Sequence, residues 1–285
     1  MATVTVGHEN GVPIEVAYDD LGSGPAVVLL HGWPFDSRSW EAQVHALLAA
    51  GLRVVTYDRR GFGRSSRPSV GYDFDTLAAD LDVVLTELDL TDVTVVGLSL
   101  GTGELARYIG TYGTGRLRSC VFWETLAPSF VRSVDNPTGV DPAGVAGVQA
   151  AILADRAAWL TGMDQNFLNL DENLGTRVSA DTERYLWQTG MEASAEATWA
   201  CPRGWLEDFS ADIAKIDIPT LIIHGTADRI LPIDGQGRRL HAALPDAQYV
   251  EIEGGPHLNC LTHAAEANAA LLAFLPQPAV AGAQA

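Results

Sequence analysis

The stretch Val95-Val96-Gly97-Leu98-Ser99-Leu100-Gly101 constrains what this chain can fold into more than any other. It sets a Gly-x-Ser-x-Gly turn between a β-branched run, read as a buried strand, and a helix expected to begin near Thr102. A strand passing straight into a helix leaves no room for bulk two residues either side of the serine, and Gly97 and Gly101 occupy those places. With 28 glycines in 285 residues the bare pattern could arise by accident. Its weight comes from the strand and the helix around it.

The same alternation runs through the first part of the chain. Residues 3–6 and 14–18 read as an opening antiparallel pair. Residues 26–30, 53–57, 93–96 and 119–123 read as short strands of the fully buried kind. Between them Trp40, Val44, Leu47 and Leu48 fall at helical spacing before Gly51. Leu77, Leu81, Val84, Leu85 and Leu88 repeat the stripe after Asp75, which is expected to be the N-cap. After Thr125 the alternation stops, and residues 126–212 read as an inserted helical cap. Its aromatics Trp159, Phe167, Tyr185, Trp187 and Trp199 divide between its own core and a gap facing the main domain, where a substrate pocket would form. Strands resume at 220–223 and 248–252, each followed by a helix. The expected class is therefore α/β, with a mostly parallel central sheet flanked by helices. Its core is split into residues 1–125 and 213–275 around the cap, with a frayed tail at 276–285.

A net charge of -18, from 36 acids against 18 bases, would repel a polyanion such as nucleic acid. The nearest basic grouping, Arg59, Arg60, Arg64 and Arg67, is broken by glycines and serines and reads as a loop held by arginine hydrogen bonds. Cys120, Cys201 and Cys260 make no disulfide framework and point to a reducing compartment. The first six residues lack a signal peptide's positive start and apolar run, and no apolar stretch is long enough to cross a membrane, so a cytoplasmic location is expected. The seven histidines show no metal-ligand spacing, and neither a metal nor a cofactor is expected.

A serine hydroxyl becomes a nucleophile at neutral pH when an imidazole takes its proton and a carboxylate fixes that imidazole's tautomer. Two later segments supply both. Leu221-Ile222-Ile223 runs into His224-Gly225-Thr226-Ala227-Asp228, and Tyr249-Val250-Glu251-Ile252 runs into a loop ending in His257. Ser99, Asp228 and His257 each lie just past the carboxyl end of an expected strand, where open α/β sheets bind ligands. Asp217 and Asp234 are rival acids, one before its strand and the other near the following helix. For a developing oxyanion the backbone N–H of Leu100 and that of Trp33, in Leu29-Leu30-His31-Gly32-Trp33-Pro34, are the expected donors, since Pro34 has none. His31 reads as a structural hydrogen-bonding residue. Residues 57–65 lack the Gly-Lys-Ser/Thr ending of a phosphate loop.

A longer series of motifs accompanies these residues: His31-Gly32-Trp33-Pro34, Thr56-Tyr57-Asp58-Arg59-Arg60-Gly61-Phe62-Gly63, Gly101-Thr102-Gly103-Glu104, Asp135-Asn136-Pro137, Asp228-Arg229-Ile230-Leu231-Pro232 and Glu253-Gly254-Gly255-Pro256-His257. Together they make nearly the whole chain resemble the cofactor-free (non-heme) chloroperoxidase and perhydrolase branch of the α/β-hydrolases. The resemblance implies the α/β-hydrolase fold and a serine esterase without heme or metal. Ser99 would carry the acyl group, His257 would shuttle the proton, and hydrogen peroxide could replace water to give a peracid that oxidises halide in solution. It also implies a homodimer or homotrimer and a small ester, lactone or carboxylic acid as substrate. Pro34 fits the perhydrolytic members.

Departures from the family pattern cluster around the expected pocket. Trp33 and Leu100 stand where Phe and Met are common; Phe122-Trp123-Glu124-Thr125, Leu258-Asn259-Cys260-Leu261 and Arg203 replace more apolar stretches. Pro34, Trp123, Glu124 and Asn259 are accordingly expected to line the pocket. Glu124 and Arg203 either anchor a polar substrate group or pair with each other or with water. Glu124 also motivates a different reaction on the same fold, such as cyclisation, acyl transfer or carbon-carbon cleavage. A non-catalytic ligand-binding protein is the reading from another class.

Overall fold

The computed structural model describes residues 1–276, and all but Pro276 of the expected tail at 276–285 lies outside the described residues. Eight strands form one sheet: β1 (Ala2–Glu9), β2 (Val12–Leu21), β3 (Ala26–Leu30), β4 (Arg53–Tyr57), β5 (Val93–Leu98), β6 (Leu117–Trp123), β7 (Thr220–Gly225) and β8 (Gln248–Ile252). Their order is β1-β2-β4-β3-β5-β6-β7-β8. The first two pairings are antiparallel and every later one is parallel, from β3 with β4 to β7 with β8. Parallel strands need crossovers, and the chain supplies helices for them: α1 (Glu41–Ala49), α2 (Phe74–Glu87), α3 (Leu100–Tyr112) and, later, α9 (Gly237–Ala243). Covered on both faces, β5 is buried at every residue, as are all but one residue of β3 and of β6. This is why they read as continuous apolar runs rather than alternating ones.

The stripe of α2 packs as its periodicity requires, with Leu77, Leu81, Val84 and Leu85 buried. Its N-cap, however, is Asp73 and not Asp75. The Asp73 carboxylate accepts the N–H of Thr76 at 2.8 Å, which starts the helix at Phe74 and leaves Asp75 in its first turn.

Between β6 and β7 the chain forms helices and isolated bridges: α4 (Pro142–Phe167), α5 (Leu170–Asn173), α6 (Ala180–Glu192), α7 (Ala195–Ala200) and α8 (Ser210–Ile213). Helix α4 is broken at Asp155, whose φ of -160° and ψ of 93° are not helical. The last helices are α10 (Asn259–Thr262), which packs on α1, and α11 (Ala264–Phe274), which returns to β7 and β8. Among the described residues no helix is long and apolar enough to cross a membrane.

The arginine loop after β4 is structural. Buried Arg59 bonds Glu104 and the carbonyl of His31, Arg60 grips Asp80 through two contacts of 2.6 Å, and Arg64 Nε meets Asp58 at 2.8 Å. Because Glu104 lies on α3 and His31 at the end of β3, Arg59 ties the two segments that flank Ser99.

Candidate active site

The turn from β5 into α3 puts Ser99 at φ 53° and ψ -116°, a conformation that costs a non-glycine residue about 1–3 kcal/mol and holds its side chain clear of the sheet. The close approach demands the flanking glycines. A Cβ on Gly97 would meet the Gly101 carbonyl oxygen at 2.5 Å, and one on Gly101 would meet the Leu30 carbonyl oxygen at 2.6 Å. Leucine 100 is already helical, so α3 begins two residues before the expected Thr102.

Three loops past strand carboxyl ends bring Ser99, His257 and Asp228 together. His257 Nε2 lies 2.9 Å from Ser99 Oγ, and His257 Nδ1 lies 2.7 Å from Asp228 Oδ2. All three are buried, with Ser99 the most accessible at 9%. Asp228 Oδ1 accepts the N–H groups of Ile230 at 2.7 Å and Leu231 at 2.9 Å, which fixes the carboxylate's rotation. Burial alone would raise its pKa; the neighbouring His257 ring and its hydrogen bond outweigh that and hold it well below the usual carboxylate range. The rivals sit elsewhere: Asp217 accepts from Thr114 at 2.6 Å, and Asp234 pairs with Arg238 at 2.5 Å on the surface.

The backbone N–H groups of Trp33 and Leu100 bond no partner among the described residues, and the chain before Trp33 runs close to the serine: a Cβ on Gly32 would touch Ser99 Cβ at 3.5 Å. His31 has the structural role expected of it. Its Nδ1 meets the Gly32 carbonyl at 2.8 Å, its Nε2 accepts the Arg59 N–H at 3.0 Å, and burial pushes its pKa down to about 3. Glycine 32 and Trp33 are thereby held in place.

Above Ser99 opens a cavity of about 250 Å³. Its walls are mainly apolar: Trp33 from the loop after β3, Leu126 and Phe130 from the segment after β6, Met163 and Phe167 from α4, and Trp205. Phe167 also packs on the His257 ring at 5.5 Å, and Trp159 and Trp205 each pack on Trp33 at 5.2 Å. The expectation that some aromatics of this region face the sheet is thus met by Trp159 and Phe167, whereas Tyr185 is 38% exposed. Trp205, Met163 and Phe130 were not distinguishable in the sequence, because they lie in segments without a strand-end landmark, and Leu126, just past β6, carries no chemistry to single it out.

The expected pocket residues need correction. None of Pro34, Trp123, Glu124 or Asn259 lines this cavity. The chain at Glu124 turns into the left-handed region, φ 48°, and its fully buried side chain runs to the N–H of Gly225 at 2.8 Å. Asn259 donates to the same Glu124 oxygen and accepts the Trp123 indole N–H at 2.6 Å. These three make a polar layer behind Asp228. Arg203 neither pairs with Glu124 nor reaches the cavity; it stacks on the Trp199 ring at 4.2 Å. Cys260 is wholly buried, its thiol pushed up to about 12 by burial.

Comparisons with known proteins agree with this fold. A family model described as alpha/beta hydrolase fold matches residues 25–264. A Synechocystis relative that bears a non-heme chloroperoxidase name is 47% identical over 275 residues, covering 96% of this chain and 100% of its own. The bifunctional esterase/perhydrolase of Acinetobacter calcoaceticus is 29% identical over 265 residues, 92% of this chain and 96% of its own. A crystal structure of a bromoperoxidase from Bacillus anthracis superposes with a TM-score of 0.91 at 43% identity, covering 96% of this chain and 98% of that one. With its sheet order, its serine turn and these relatives, the chain belongs to the α/β-hydrolase family and is a serine hydrolase.

Proposed function

We propose that the enzyme cleaves carboxylic esters or lactones with small apolar acyl groups through an acyl-enzyme on Ser99, and that hydrogen peroxide can replace water in the second half of the reaction. Ser99 Oγ attacks the carbonyl carbon while His257 Nε2 takes its proton, and the N–H groups of Trp33 and Leu100 receive the negative oxygen. The C–O bond to the alcohol then breaks, with His257 returning the proton to the leaving oxygen. Water next attacks the acyl carbon, again losing its proton to His257, and Ser99 leaves with that proton to release the acid. With peroxide in place of water the same bonds form and break, and the product is the peracid. A peracid meeting halide in solution passes its terminal OH to the halide, yielding the carboxylate and hypohalous acid without further help from the protein.

The observation that carries this reading is the Ser99–His257–Asp228 contact chain, 2.9 Å and 2.7 Å, at the floor of an apolar cavity. The relatives named for chloroperoxidase and for esterase/perhydrolase activity support the peroxide branch. Residues 126–212 would act as the cap that supplies Met163, Phe167 and Trp205 to the pocket. A homodimer or homotrimer, and a cytoplasmic location suited to three free buried thiols, complete the proposal. The burial of Glu124 removes the observation that favoured a biosynthetic reaction on this fold.

The test is a panel of p-nitrophenyl esters and lactones, assayed with and without peroxide in the wild type and in Ser99→Ala. The expected result is hydrolysis of short apolar esters, peracid formation when peroxide is added, and loss of both in the variant by a factor of at least about 10³. Turnover that survives in Ser99→Ala would remove the proposed nucleophile.

A further inference from the structure

Behind Asp228 lies a second carboxyl that the chemistry above does not use. Glu124 is completely buried at the end of β6. Its Oε1 accepts the N–H of Gly225 at 2.8 Å and the amide of Asn259. Its Oε2 lies 3.1 Å from His224 Nε2, which is itself 3.5 Å from Asp228 Oδ2, and one polar atom from each of the three side chains falls within 4.8 Å of the other two. His224 Nε2 sits closer, at 2.8 Å, to the carbonyl oxygen of Leu231, and its hydrogen is directed there. Glu124 Oε2 therefore has no hydrogen-bond donor among the described residues, although it is sealed from water.

Asp228 is in the opposite state. It accepts two backbone N–H groups on one oxygen and His257 Nδ1 on the other. Two carboxylates side by side in a dry site do not both ionise, and the one with the better donors keeps the charge. A proton on Glu124 Oε2 satisfies the orphaned oxygen, relieves the repulsion and turns the residue into a donor toward Asp228.

We propose that Glu124 is a positioning residue, a neutral carboxylic acid that donates its proton to Asp228 and clamps that carboxylate from the side His257 leaves open. Burial first, and the neighbouring Asp228 second, push Glu124 well above the usual carboxylate range, which agrees with the geometry. The groups facing it are Asp228 and His224 with the Gly225 N–H from β7 and its loop, and Asn259 and Cys260 from α10; Trp123 adjoins it on β6 and bonds Asn259. The proposal rests on Asp228 being the acid partner of His257. Its function follows from charge: an ionised Glu124 would add a second negative group near the imidazole and favour the protonated ring, whereas a neutral donor orients Asp228 without doing so.

Glu124→Gln and Glu124→Ala separate the possibilities. Glutamine keeps the shape, the acceptor oxygen and a donor toward Asp228. It is expected to fold, to keep kcat within about threefold of wild type and to leave the acid limb of the kcat/KM profile where it was. Alanine is expected to lower kcat about tenfold or more with KM little changed, and to move the acid limb to higher pH because Asp228 loses a donor. An infrared difference spectrum between wild type and Glu124→Gln near pH 7 is expected to show a protonated-carboxyl C=O band that shifts in deuterium oxide. That band does not depend on turnover, so it stands even if the reading of Ser99 fails. A carboxylate band in its place, an acid limb displaced downward by about one unit in Glu124→Gln, or an unfolded Glu124→Gln would each overturn the proposal.

Discussion

Asp228 shows how few atoms fix the chemistry at the scale of one residue. Its two oxygens divide their work: one is pinned by the N–H groups of Ile230 and Leu231, and the other holds His257 Nδ1 at 2.7 Å. Asn at this position would present an N–H₂ or a differently charged oxygen to the imidazole and select the wrong tautomer. Asp228→Asn should therefore lower kcat by about 10³–10⁴ with KM nearly unchanged, measured by steady-state hydrolysis of an activated ester. A drop of less than about tenfold would mean that Asp228 is not the orienting acid. Ser99, Asp228 and His257 were all legible in the sequence because each follows a strand end, a landmark that periodicity reveals. Trp123, Glu124 and Asn259 share the same landmark and were misplaced. Position along a strand sets depth in the sheet; it does not say whether the backbone then turns toward the cavity or, as the positive φ at Glu124 does, away from it.

At the scale of elements, the parallel strands and their helices follow from β-branched runs and apolar stripes, and one capping residue was misassigned by two positions. The region between β6 and β7 was legible as helical but not in its contacts, since α4 is broken at Asp155 and no single unbroken stripe marks the face that carries Met163 and Phe167 to the cavity. That helix carries a polar oddity. Asp164, beside the pocket residue Met163, is buried with neither carboxyl oxygen hydrogen-bonded, and burial, with the charge of Glu183 as a lesser cause, pushes its pKa up to about 8. A carboxyl that titrates higher when folded takes up a proton on folding. It leaves stability untouched below the ordinary aspartate range and lowers it as pH climbs from there through about 8. Thermal unfolding should find Asp164→Asn equal to wild type near pH 3 and increasingly more stable than it as pH rises to about 9. An equal difference at both ends would show that Asp164 does not titrate in that window.

For the whole molecule, the sheet is the frame that brings three distant loops to one point, and the Arg59 contacts to Glu104 and His31 keep β3 and α3 in register around the serine. The apolar cavity above it lines the approach to the proposed nucleophile. The central claim is that Ser99 is the atom that bonds to substrate. Incubation of the active protein with a fluorophosphonate, followed by peptide mass mapping, measures this most directly. One label per chain on the peptide containing Ser99, with loss of esterase activity in proportion, is the result expected. Label on another residue, or full activity loss without label on Ser99, would contradict it.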